Sequence, residues 1–221
     1  MYTLDSRMID MITADPNVVL LLPRFGIGLG FGNDTVAKVC SRAQVPEQLF
    51  LMVCNVYSFD NYSVTRDELR SLRIDSLFGY LKASHQYYLN DRLKHICGHL
   101  NSVAESAGKQ GQYLTKFYSE YVEQVERHFQ NEEKRLFPAI AGLVRGEQVE
   151  ITVIDEFIKH HDRLDEQLSD LIQLVLKYIP GVNTEDSTEM LFDIITLVRD
   201  LQKHAQIEEQ VLMPYIKQKL V

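Results

Sequence analysis

His128-Phe-Gln-Asn-Glu132-Glu-Lys-Arg-Leu-Phe-Pro138 has a counterpart in His204-Ala-Gln-Ile-Glu208-Glu-Gln-Val-Leu-Met-Pro214; in both, a histidine precedes a glutamate by four residues and a proline by ten. Four residues is the spacing that stacks two side chains on one helix face, so each copy directs an imidazole and a carboxylate to one point. Two more histidines extend the pattern, because His85 lies 43 residues before His128 and His161 lies 43 residues before His204. Equal intervals mark an internal duplication.

The intervals also constrain geometry. Residues on antiparallel neighbouring helices share a level only when the connecting turn falls midway between them. The midpoints are 106.5, within Ser106–Gly111; 144.5, beside Arg145-Gly146; and 182.5, within Pro180–Thr184. All three fall on turn signals. Apolar Leu69, Leu72, Ile74, Leu77, Phe78, Leu81, Tyr88 and Leu89 recur at helical spacing and predict a first helix from Asp67 to Ala107. Further helices are predicted over 110–143, 148–179 and 185–219. Long amphipathic helices joined by short turns give an all-α, up-down four-helix bundle over residues 66–221.

Residues 1–60 read as a small helical N-terminal domain. Its pieces are Asp5–Ala14, Asn17–Leu22, Asp34–Ala43 and Pro46–Val56, punctuated by Pro16, Pro23 and a glycine run, with Tyr57–Ser63 as the linker. Gly26, Gly28, Gly30 and Gly32 fit neither the dinucleotide fingerprint nor a phosphate loop, and no strand precedes them.

The bulk composition excludes several classes. An apolar content of 45% suffices for a core, and no run approaches the ~20 apolar residues needed to cross a bilayer. Neither a leader nor a membrane anchor is read, which predicts a cytoplasmic protein. A net charge of −8 repels phosphate backbones and acidic membranes, so neither nucleic acid nor membrane is expected as a partner. Cys40, Cys54 and Cys97 are odd in number and form no Cys-x-x-Cys, which predicts reduced, partly buried thiols. The sequence leaves oligomeric state open, a homodimer included.

Six buried donors at one depth of an apolar bundle are too costly to be plain core, and a bound cation removes that cost. The candidate ligands are His85, His128, Glu132, His161, His204 and Glu208. Nitrogen and carboxylate donors without thiolates point to iron or manganese in a bundle core. Donor counting favours two ions over a single four-coordinate zinc: with both glutamates bridging and one shared oxygen, each six-coordinate ion keeps one open position. His160 competes with His161, but neighbours on a helix point about 100° apart, and the repeat selects His161 on the stripe of Ile158, Leu164, Leu168 and Leu171. His95 and His99 also pair at four residues, yet His99 lies fourteen residues beyond His85, about 21 Å along the helix. They read as surface or structural residues outside this site. Glu133 and Glu209 read as solvated, and Tyr87 and Tyr88 as packing.

With these residues in place, the chain resembles the hemerythrin-like proteins, and within them the iron–sulfur cluster repair di-iron proteins. The likeness rests on the two His-x-x-x-Glu-Glu…Pro motifs, on His161-Asp162, and on Pro23-Arg-Phe-Gly-Ile27 leading to Thr35-Val-Ala-Lys-Val-Cys40. It implies two iron ions held in an oxo- or hydroxo-bridged centre by the six residues above, and repair of clusters damaged by oxidative or nitrosative stress. Oxygen or nitric oxide would be the small-molecule ligands and damaged iron–sulfur proteins the partners. Oxygen-carrying hemerythrins use an additional histidine that is absent at this level. The family's cysteine pair is also absent: Gly28-Leu-Gly-Phe-Gly32 stands in that loop. Deleting residues 1–60 is therefore expected to leave the centre intact.

Two other classes share the same residues. One is an oxygen or nitric oxide sensor, with Asp34–Phe50 as a DNA-reading helix-turn-helix; the four basic residues of 1–57 stand against five acidic ones, which argues against DNA. The other is an oxidase or peroxidase.

Overall fold

A computed structural model describes residues 1–159, 164–178 and 184–220, and among them every regular element is a helix. In chain order these are α1 (Met8–Ala14), 3₁₀ turns at Pro16–Leu21 and Pro23–Phe25, α2 (Val36–Ala43), α3 (Glu47–Ser58), α4 (Arg66–Ser71), α5 (Ile74–Tyr87), α6 (Leu93–Ser106), α7 (Lys109–Asn131), α8 (Phe137–Val144), α9 (Ile151–Lys159), α10 (Leu164–Tyr178), α11 (Thr184–Ile207) and α12 (Met213–Leu220). Short π-helical segments at Tyr88–Arg92, Glu132–Leu136 and Glu208–Leu212 join α5 to α6, α7 to α8 and α11 to α12 without a break. No helix among the described residues is long and apolar enough to cross a membrane.

The backbone divides into two compact units, Met1–Ser84 with Gln206–Val221, and His85–Ala205. In the first, α3 is buried on nearly every side, through Leu49, Phe50 and the run Met52–Tyr57. Phe25 stacks on Tyr80 with ring centroids 4.8 Å apart and meets Phe50 edge-on at 5.1 Å. The buried Arg24 donates through Nη1 to the Tyr57 hydroxyl at 2.9 Å, and the Asn55 side-chain oxygen accepts the Tyr2 backbone N–H at 2.8 Å, pinning the N-terminus. The glycine loop supplies the left-handed backbone at Gly26, Gly30 and Gly32 that other residues resist.

In the second unit, four successive helical stretches form the expected up-down bundle. Their inward residues keep spacings of three or four: Leu93, Ile96, Leu100 and Val103 on α6; Leu114, Tyr118, Tyr121, Val125 and Phe129 on α7; Leu164, Leu168, Leu171 and Val175 on α10; Met190, Ile194, Leu197 and Leu201 on α11. The first turn falls at Ala107-Gly108 and the second at Arg145-Gly146, as the midpoints required, with both glycines at positive φ. A Cβ on Gly111 would lie 1.9 Å from the Ala104 carbonyl oxygen, so this glycine sets how closely α7 approaches α6. The third midpoint lies outside the described residues.

Several boundaries differ from the sequence reading. The first long helix is interrupted at Leu72, whose ψ of 128° is extended, so Arg66–Ser71 forms a separate turn closed by a Thr65–Glu68 capping box. The supposed linker is partly packed: Tyr57 and Ser58 complete α3, and Tyr62 is buried with its hydroxyl donating to Glu68 at 2.7 Å. The third long helix begins at Ile151 rather than 148.

Candidate metal centre

His85, Glu132 and His204 are brought together in the second unit, at 0%, 2% and 3% exposure. Each offers one donor atom, and these atoms lie within 4.8 Å of one another. Glu208 stands one turn past His204 on the same unbroken helical stretch and is 1% exposed. His128 is nearby, with Nε2 at 3.1 Å from Glu132 Oε1. The other oxygen of that carboxylate, Oε2, is 3.2 Å from His85 Nε2. Glu132 therefore addresses two imidazoles with two different oxygens.

The aromatic packing is what holds these groups in place. His85 stacks on Phe129 with centroids 4.0 Å apart and planes within 7°, and His204 meets the edge of Tyr88 at 5.5 Å. Tyr88 is itself anchored, its hydroxyl donating to the Asp200 carbonyl at 3.4 Å, which is the packing role expected of it. His160 and His161 lie outside the described residues.

Glu133 departs from expectation. Instead of being solvated, it places Oε1 2.8 Å from His85 Nδ1. The Nδ1–H then donates to the carboxylate and leaves the Nε2 lone pair facing Glu132. This is the carboxylate–histidine arrangement that fixes a ligand's tautomer and raises its basicity. The doubled Glu132-Glu133 is visible in the sequence, but its position alone does not assign Glu133 a partner.

The backbone at the site also carries a signature. In each π segment a backbone N–H reaches back five residues: Leu93 to Tyr88, Phe137 to Glu132, Met213 to Glu208. Two of the three begin at a candidate glutamate. Pro138 and Pro214 explain those two, since a proline in a helix interior donates nothing to the carbonyl four residues back and clashes with it, and a widened turn relieves the clash.

The donor set fits a cation. Neither oxygen of the buried Glu132 carboxylate forms a hydrogen bond, a costly state for an ionised group unless a positive charge lies between it and the imidazoles. Two donors bound at ~2.1 Å to one ion and at right angles sit ~3 Å apart, close to the 3.1 and 3.2 Å separations found here. This group of histidines and glutamates can hold a metal ion.

Compared with known proteins, residues 79–216 match the family described as the Hemerythrin HHE cation binding domain. The chain belongs to that family. Over its length it is also similar to the iron-sulfur cluster repair protein ScdA of Staphylococcus haemolyticus strain JCSC1435, with 21% identity across 96% of this chain and 98% of that protein. ScdA of Staphylococcus epidermidis strain ATCC 12228 is 20% identical across 64% of this chain and 66% of its own. The family match brackets every candidate ligand from His85 to Glu208.

Proposed function

We propose that this protein carries a di-iron centre and acts in the repair of iron–sulfur clusters damaged by oxidative or nitrosative stress. The observation that carries the reading is Glu132: a fully buried carboxylate whose two oxygens point to two different histidines, inside a bundle of the cation-binding family. The proposed ligands are His85, His128, Glu132, His161, His204 and Glu208, holding two iron ions. Similarity to ScdA along nearly the whole chain supports the repair role.

Bound iron would supply electron exchange and a coordination position for oxygen or nitric oxide. The protein's own residues prepare the site for it. Glu133 holds the proton at His85 Nδ1, Phe129 and Tyr88 exclude water from one side, and the Glu132 carboxylate spans two imidazoles. The proposed macromolecular partners are damaged iron–sulfur proteins in the cytoplasm rather than nucleic acid or membrane. A DNA-reading role for α2 and α3 is disfavoured by burial, because α3 exposes only Glu47 and Gln48. Residues 1–60 are proposed to serve partner contact rather than thiol chemistry.

The test is anaerobic purification followed by elemental analysis and an assay of an iron–sulfur enzyme inactivated by peroxide or nitric oxide. We expect two irons per chain and restored enzyme activity. Glu132→Ala should lose metal and stability together, because its partners become unpaired buried groups. One zinc per chain, with no restoration, would refute the proposal. Reversible oxygen binding without restoration would move the protein to the sensing class.

A further inference from the structure

A second group of possible ligands lies on α6 and on the earlier part of α11. His95 and His99 follow one another by one turn on α6, and Asp193 faces them from α11. His95 lies ten residues past His85 and Asp193 eleven before His204, so about 15 Å of helix separates this cluster from the buried centre. It shares no residue with that centre.

The geometry is that of convergent donors. His95 Nε2 is 3.3 Å from His99 Nε2 and 3.2 Å from Asp193 Oδ2, and His99 Nε2 is 3.8 Å from the same oxygen. Three ligands of a tetrahedral ion at ~2.1 Å stand ~3.4 Å from one another, a value these three separations bracket, whereas right-angled octahedral ligands stand closer to ~3.0 Å. Both rings turn Nε2 inward, so each can offer a lone pair to one point.

The surroundings hold those donors in place. Arg92 Nη2 bonds Asp193 Oδ1 at 2.7 Å, which fixes the carboxylate and leaves Oδ2 turned to the histidines. Glu189 Oε2 lies 3.7 Å from His99 Nδ1, which adds a second negative charge beside the pair. Two carboxylates against one guanidinium leave a local negative charge. His95 is 56% exposed at its side chain while Asp193 is 15% exposed, so an ion has an entry path and a partly desolvated seat.

We propose that His95, His99 and Asp193 form a second metal site that takes a zinc-class dication in tetrahedral coordination, with the fourth position open to solvent. Imidazole and carboxylate donors without thiolate suit zinc or copper(II) over calcium or magnesium. The site ties α6 to α11, so occupancy stabilises the bundle as well as binding the ion.

The experiment titrates zinc into full-length protein retaining its purified metal, in competition with a chromophoric chelator, beside His95→Ala, His99→Ala and Asp193→Asn. The parent should take up one more equivalent than the His95→Ala/His99→Ala double variant, and each single variant should bind that equivalent at least about tenfold more weakly. Zinc should raise the melting temperature of the parent and not of His99→Ala. Cobalt(II) in the parent should give the intense visible bands of a four-coordinate ion. Equal zinc uptake by parent and double variant overturns the proposal, as does loss of the tightly held purified metal in the double variant, which would assign these residues to the fold of the buried centre. The two metals are counted separately, so failure here is distinct from failure of the iron reading.

Discussion

Successive residues on an α-helix point about 100° apart, so Glu132 and Glu133 cannot share one direction. The structure uses both. Glu132 turns inward to His85 Nε2 and His128 Nε2, and Glu133 reaches around to His85 Nδ1 at 2.8 Å. Replacing Glu133 with glutamine keeps the size and removes the charge that holds the Nδ1 proton. The expected result is a folded protein whose metal is lost to a chelator about 10 to 100 times more readily, with little change in melting behaviour before metal is removed. Retention equal to the parent would reduce Glu133 to a surface residue. The buried donors were legible in sequence because duplication separates them from ordinary core histidines; Glu133 was not, since position alone does not say that a half-exposed carboxylate has a ring to meet. The His95–His99 pair was visible as a spacing, but its third member, Asp193, lies 94 residues past His99 and only the packing of α6 against α11 brings it there.

At the scale of elements, the helices followed from apolar periodicity, while their interruptions followed from local chemistry that periodicity ignores. Pro138 and Pro214 gave a readable reason for two π segments; the third, Tyr88–Arg92, has no proline or glycine to announce it. The break at Leu72 is equally silent, because leucine is a good helix former. Burial in α2 and α3 has a chemical consequence. Desolvation, helped by Glu47, pushes the Cys40 thiol up to about 12, and burial pushes Cys54 well above its ordinary value. A thiol is reactive only as thiolate, and a raised pKa keeps both protonated at neutral pH. Alkylation of the native protein at pH 8 should therefore label Cys97, which is partly exposed, far faster than Cys40 or Cys54, with all three equal in denaturant. Rapid native labelling of Cys40 would contradict this and revive a redox role for the first unit.

At the scale of the whole molecule, a linker read at Tyr57–Ser63 recommends cutting the chain near residue 60, and the first unit argues against it. That unit is continuous from Met1 to Ser84, and its packing crosses the proposed cut. Phe25 stacks on Tyr80, the Tyr80 and Tyr57 hydroxyls lie 3.4 Å apart, and Arg24 donates to Tyr57. The polar Asp60-Asn61 reads as a connection, but Tyr57 and Tyr62 on its two sides are 5% and 6% exposed. Removing residues 1–60 would uncover Tyr80, now 2% exposed, and take away every aromatic ring that α3 contributes. Loss of one buried aromatic commonly costs about 3–5 kcal/mol, and for a chain of this size each kcal/mol lowers the melting temperature by roughly 2–4 °C. The truncated protein is therefore expected to melt at least about 10 °C below the full chain by calorimetry, and its metal content should fall with temperature in step. A truncated chain with the melting temperature of the parent would instead establish residues 1–60 as an appendage that contributes no stability to the rest.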